Sequence, residues 1–289
     1  NPVKQQLAAG GHAFGSMIFE FFTPGMPRLL KNAGAEYAMY CMEHTGASYE
    51  TLKPQFALCR ALGVVPLVRV PGTEYDFIAR ALDCGALGVM VPLVDSAQQA
   101  EFIVSCTRYP PAGGRRGAAF GFAHDDYEGG DVAAKMKMIH ERTLVIAMIE
   151  TKSGLENVEA IAAVPGVDVL WLGHFDLSNF LGIPGQFSSP VFQDAIRRIV
   201  GAAKKHGKAA GYMAASAALG REYLGHGLQV FHDAIASREG FTKEQGYGVR
   251  RVIAAYHFYH KEAAAVFRGE RSGSFWTTLI PTLTCDLVE

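Results

Sequence analysis

Residues 63–92 read GVVPLVRVPGTEYDFIARALDCGALGVMVP, and this stretch decides the fold. Val64 to Val70 is an apolar run interrupted only by Arg69 and closed by Pro71. A strand covered on both faces reads that way. Glu74 to Cys84 carries apolar residues at helical spacing and stops at Gly85, a helix-ending signal. Leu87 to Val91 is a second apolar run, closed by Pro92. Strand, helix and strand in that order make one parallel βαβ unit.

The unit recurs on both sides. Towards the N-terminus stand a strand at 13–19, a helix at about 24–32 ending at Gly34, a strand at 37–41 and a helix at 49–62. Towards the C-terminus, Ser96 caps a helix running to about Thr107. Strands follow at 144–149, 168–172, 209–213 and 228–232, with helices at about 191–206 and 243–268. Eight strands, each followed by a helix or a crossover long enough to hold one, predict a single α/β domain, a (β/α)8 TIM barrel over residues 1–289. A doubly wound open sheet is the alternative, but no GxGxxG follows the first strand. The glycine- and proline-rich stretch from Pro110 to Gly130 stands outside the pattern, and such stretches are usually functional or mobile.

Composition narrows the function. A net charge of -1 offers nothing to nucleic acid or to an anionic membrane. No apolar run reaches membrane-spanning length, and no signal peptide is visible, although the chain starts at Asn1. Five dispersed cysteines without a CxxC pair argue against a disulfide framework or a structural zinc site. They read as reduced, buried thiols of a cytoplasmic protein.

In a TIM barrel the chemistry sits at the C-terminal ends of the strands. Strand two is followed by Met42, Glu43 and His44, and strand three ends in Arg69. Strand five ends in Glu150, strand six in Gly173, His174, Phe175 and Asp176, and strand eight in His232 and Asp233. Glu150 and Asp176, on neighbouring strands, suit a hard divalent cation such as Mg2+ or Mn2+, which takes oxygen ligands and leaves positions for a chelating 2-oxo acid. Arg69 is placed to stabilise an enolate oxygen. Each residue also has a plainer reading. Asp176 could cap the next helix, and Glu150 could pair with Arg69 or Lys152. His44 could be a hydrogen-bonded rim residue, and His232 and Asp233 read as structural. His124, Asp125 and Asp126 read as solvated, while Arg115 and Arg116 either grip an anion or meet acids at a subunit contact. Phe19, Phe21 and Phe22 read as core and rim packing.

The ordered set Met42-Glu43-His44, Val68-Arg69-Val70-Pro71, Val91-Pro92, Arg108-Tyr109-Pro110-Pro111 with Arg116-Gly117, Ile149-Glu150-Thr151, Gly173 with Asp176-Leu177-Ser178, and Gly182-Ile183-Pro184-Gly185 resembles the HpcH/HpaI class II pyruvate-aldolase family. The match spans about residues 13–235. The resemblance implies a divalent cation on Glu150 and Asp176, with Arg69 beside the substrate oxo group. It implies backbone N–H groups of the Gly173 to Asp176 turn, chiefly Phe175 and Asp176, on the substrate carboxylate. His44 takes the place of the proton-handling histidine. A homo-oligomer, a hexamer by analogy, is implied too, with the last helix and tail (about 242–289) packing on a neighbouring subunit.

Three departures stand out. Cys41 replaces the family's Asp, Met148 replaces a Gln, and the usual GPAD turn reads Gly173-His174-Phe175-Asp176. Without an anionic partner His44 is a poorer base. Decarboxylation of oxaloacetate makes the pyruvate enolate without taking a proton from a methyl group. The first expectation is therefore oxaloacetate decarboxylation followed by carbon–carbon bond formation, as in a fungal branch of the family that traps the enolate with a 2-pyrone. The alternative is retro-aldol cleavage of a 4-hydroxy-2-oxo acid to pyruvate and an aldehyde, supported if His44 meets another carboxylate such as Glu43 or Glu50. A third reading, a metal-free binding barrel, needs Glu150 paired with Arg69.

Overall fold

The computed structural model describes residues 1–20, 22–214 and 216–232, with isolated positions 240, 242 and 245. Eight parallel strands close into one barrel in chain order: β1 (Ala13–Ile18), β2 (Tyr37–Cys41), β3 (Val65–Arg69), β4 (Gly88–Val91), β5 (Leu144–Ile149), β6 (Val169–Leu172), β7 (Ala209–Met213) and β8 (Val230–His232). β1 pairs with both β2 and β8, so the sheet has no edge. The TIM-barrel expectation holds.

Two apolar layers follow from the alternation of strand side chains. Tyr37, Met39, Leu67, Ile146, Met148 and Trp171 fill the barrel interior. Val68, Val89, Ile149, Leu170 and Leu172 face the surrounding helices. Those helices are α2 (Met26–Ala33), α3 (Tyr49–Ala61), α4 (Tyr75–Asp83), α5 (Ala97–Thr107), α6 (Val132–Arg142), α7 (Lys152–Glu156), α8 (Val158–Ala163), α9 (His174–Phe180), α10 (Pro190–Lys205) and α11 (Ala217–Gly225). Ser48, Ser96 and Ser216 each accept a hydrogen bond from the first turn of the helix they precede, as N-cap serines do.

The helix α1 (Pro2–Ala8) was not visible in the periodicity of the sequence. It seals the N-terminal end of the barrel through polar contacts. The Asn1 side chain donates to the Leu87 and Arg142 carbonyls at 3.0 and 2.9 Å. Lys4 Nζ donates to the Thr143 carbonyl at 2.6 Å and to Asp168 at 2.8 Å.

The segment between α5 and α6 corrects the expectation of a solvated loop. His124 and Asp125 are buried. Asp125 accepts from the Gly121 and Phe122 N–H groups at 2.8 Å each and from Lys135 at 2.7 Å. Arg116 is buried and pairs with Asp83 at the end of α4, 2.6 Å away, so its partner lies in its own chain. Arg115 stacks on Phe102 at 4.5 Å. Asp126 takes ion pairs from Arg60 and Arg142. The segment also lies at the end of the barrel opposite the strand C-termini, because it joins the end of α5 to α6 and β5. Phe21, Asp233 and, isolated positions aside, the expected final helix and tail lie outside the described residues.

Burial alone would raise the Asp125 carboxyl, but the Lys135 ammonium and the two backbone donors outweigh it and hold the group well below the ordinary range. A depressed carboxyl pKa contributes stability above the unfolded value, near 3.9, that is lost as pH falls through it. Asp125→Ala should cost about 2 kcal/mol at pH 7, because it takes the acceptor from the Gly121 and Phe122 N–H groups and the carboxylate from Lys135. Chemical denaturation should show that deficit shrinking steadily below about pH 4.

Candidate active site

The parity that fills the barrel also aims its mouth. On β5, Met148 points inward and Ile149 outward, so Glu150 points inward again. On β2 the inward Cys41 is followed two residues later by Glu43, and on β3 the sequence Val65, Leu67, Arg69 points inward throughout. On β6 the inward position after Trp171 is Gly173. A side chain there would strike the Glu150 carboxylate, since a Cβ on Gly173 would stand 2.7 Å from Glu150 Cβ. Glycine at 173 is what leaves room for Glu150.

Cys41 and Arg69 are register partners across β2 and β3. The guanidinium reaches the thiol, with Nε and Nη2 at 3.3 and 3.0 Å from Cys41 Sγ. The His44 backbone N–H also points to that sulfur, at 3.3 Å. Arg69 Nε stands 3.1 Å from Glu43 Oε2, close enough to pair but out of line for a hydrogen bond. Among the described residues the carboxylate paired with Arg69 is therefore Glu43, not Glu150, and Lys152 pairs with Glu156 instead. The Phe19 ring lies 5.8 Å from the Arg69 guanidinium carbon.

Glu43 also lies 3.6 Å from His44 Nε2, and the His44 side chain is 55% exposed. Glu43 is the site residue that sequence reading left as a mere partner option. Its signal was available: it stands two residues beyond the inward Cys41. Glu150 is buried and accepts the Leu93 N–H on Oε1 at 2.7 Å. Asp176 lies in the first turn of α9, whose N-cap is Gly173, so it is not the cap. The His174 ring turns away to pack with Phe175, Phe187 and Tyr212 at 4.3–5.2 Å. Burial holds it down to about 4, so it is neutral near pH 7. His232 is buried with Nδ1 3.0 Å from Tyr37 Oη, in keeping with a structural role.

Three carboxylates, Glu43, Glu150 and Asp176, thus feel one another beside the Arg69 guanidinium. Burial, then the Glu43 and Asp176 charges, push Glu150 up to about 7 against the Leu93 N–H and Arg69. Burial likewise raises Glu43, opposed by Arg69 and His44. Among the described residues no group of three or more His, Cys, Asp or Glu forms a ready metal cluster.

A family model described as HpcH/HpaI aldolase/citrate lyase matches residues 23–236. The chain belongs to the HpcH/HpaI aldolase/citrate lyase family. It is 37% identical over 224 residues to the 5-keto-4-deoxy-D-glucarate aldolase of Klebsiella pneumoniae, covering 78% of this chain and 86% of that one. It is 36% identical over 228 residues to the hydroxypyruvate/pyruvate aldolase of Chromohalobacter salexigens, covering 79% and 88%. The HpcH/HpaI aldolase structure from Desulfitobacterium hafniense superposes with a TM-score of 0.75 at 28% identity, covering 88% of this chain and 96% of that one. Macrophomate synthase superposes with a TM-score of 0.71 over 92% and 91% of the chains, but at 20% identity that likeness shows the fold alone. As a member of the HpcH/HpaI family the chain is an aldolase-type carbon–carbon lyase. No helix among the described residues is long and apolar enough to cross a membrane.

Glu150 yields a test of the site's electrostatics. Its folded pKa lies above the unfolded value of about 4.3, so ionisation destabilises the fold as pH rises from there to about 7. In chelator, Glu150→Gln should stabilise the protein little at pH 4 and by about 3 kcal/mol at pH 8. Equal thermal shifts at both pH values would refute the buried, like-charged environment.

Proposed function

We propose that the chain is a divalent-cation-dependent aldolase that cleaves a 4-hydroxy-2-oxo acid into pyruvate and an aldehyde. The observation that carries this reading is Glu43, which gives His44 the carboxylate neighbour that Cys41 cannot supply. That contact, with the two aldolase relatives, puts retro-aldol cleavage ahead of oxaloacetate decarboxylation.

The residues fit a hard cation. Glu150 and Asp176 offer oxygen donors in a pocket with surplus negative charge, and Gly173 keeps the Glu150 carboxylate unobstructed. Glu150 and Asp176 would hold Mg2+ or Mn2+, which supplies Lewis-acid polarisation of the 2-oxo acid. Phe175 and Asp176 offer first-turn N–H groups of α9 to the substrate carboxylate.

His44 takes the proton of the 4-hydroxyl as the C3–C4 bond breaks. Glu43, 3.6 Å from His44 Nε2, orients the imidazole. The bond's electron pair becomes the enolate of pyruvate, and the Arg69 guanidinium faces the oxygen that gains charge. Cys41 holds Arg69 in that orientation through its sulfur. Protonation at C3 then releases pyruvate. Assembly into a homo-oligomer, a hexamer on the family pattern, belongs to the same proposal, and light scattering that shows a monomer would refute that part.

Glu150→Gln and Asp176→Asn should each lower cation-dependent pyruvate release at least a hundredfold while circular dichroism stays unchanged. Turnover at the wild-type rate in either variant, or in excess chelator, overturns the assignment.

Cys41 supports a second reading. It leaves His44 with an offset, half-buried partner in place of a carboxylate two residues closer to the barrel, an arrangement better matched to oxaloacetate decarboxylation than to methyl deprotonation. Capture of the enolate by a 2-pyrone is the most specific form of that reading. Cys41→Asp separates the two. If decarboxylation is the native task, the variant should gain about tenfold in pyruvate methyl-proton exchange, the scale of one added acid–base contact. If cleavage is native, exchange should already be fast and change little.

A further inference from the structure

Leu93, just beyond β4, is bound to the site by its own backbone, because its N–H is the donor on Glu150 Oε1 at 2.7 Å. Its φ is 53°, in the left-handed region that glycine or asparagine enters readily and leucine rarely does. Its side chain gains little from the core in return, since the residue is 45% exposed. A strained backbone that carries an exposed apolar side chain beside reactive groups points to a residue kept for what it touches. At the Arg69 edge of the same mouth stands another apolar group, Phe19, at 5.8 Å from the guanidinium carbon. Two apolar residues thus adjoin the polar centre, Leu93 through its backbone N–H on Glu150 and Phe19 through its ring at Arg69.

We infer that Leu93 and Phe19 form the subsite for the aldehyde half of the substrate, and that it takes an aryl or branched-alkyl substituent in preference to a hydroxylated one. The inference rests on the aldolase reading. In the synthetic direction, C3 of the pyruvate enolate adds to the aldehyde carbon. The C3–C4 bond forms, and the carbonyl oxygen takes up one proton as the 4-hydroxyl. Nothing is oxidised or reduced. Only the aldehyde's substituent meets Leu93, so this side chain discriminates between acceptors without altering the bond-forming atoms. Hydroxyls buried against it would lose water without gaining a partner.

The test is an acceptor competition with the full chain, Mg2+ and pyruvate, in which benzaldehyde and glyceraldehyde are compared by kcat/KM. The wild type should favour benzaldehyde at least tenfold. Leu93→Asn keeps the N–H and the left-handed backbone but makes the side chain polar, and should reduce that ratio about tenfold. Leu93→Gly removes the side chain with the backbone conformation still allowed, and reads the same ratio if the asparagine variant folds poorly. An unchanged ratio in both variants, or a wild-type preference for glyceraldehyde, overturns the inference. Deuterium exchange into the pyruvate methyl group, followed by NMR, is measured in parallel on the wild type. Its absence overturns the aldolase reading itself, whereas exchange with an unchanged acceptor ratio overturns the subsite alone.

Discussion

Among the described residues, three carboxylates share the Arg69 guanidinium at the C-terminal mouth of the barrel, and much of the site follows from that imbalance. Arg69 cannot neutralise Glu43, Glu150 and Asp176 together. It leans on Glu43 and on the Cys41 sulfur, which leaves Glu150 buried with a single backbone donor. A buried carboxylate in that position either takes a proton or calls for a cation. The same imbalance gives the two ends of the site different chemistry, with positive charge beside Arg69 and a surplus of negative charge between Glu150 and Asp176.

Backbone devices hold this arrangement where side-chain packing could not. Gly173 leaves an inward position empty so that Glu150 fits across from it. Leu93 adopts a left-handed turn to point its N–H at the same carboxylate. Both act on Glu150, from β6 and from β4, so strands on either side of β5 constrain one side chain. A barrel is suited to this, because neighbouring strands lie about 4.8 Å apart and present their ends at one rim.

The opposite end of the barrel is also built from charges. Asp125 gathers two backbone donors and Lys135, while Arg116 reaches Asp83 on α4. These contacts give the connection after α5 a fixed course where its glycines and prolines would otherwise leave it free. α1 adds to them at the same end through Asn1 and Lys4.

The strands, their order and their parallel barrel were legible in the chain itself, because a strand covered on both faces is mostly apolar and most of them end at or near a proline, glycine or charged residue. The rim positions of Arg69 and Glu150 were legible for the same reason, since a charge that ends or directly follows a buried strand stands at the rim. Glu43 was within reach of the same alternation. What the chain could not reveal was which charges meet. Asp125 looks like a solvated loop residue until α6 is brought against it, Arg116 looks free for an anion or a neighbouring subunit until Asp83 on α4 meets it, and nothing about a leucine announces a positive φ. Alternation along a strand is a local property that sequence carries; pairing across strands and strain in a turn arise only when the barrel closes, because they depend on distances between residues far apart in the chain.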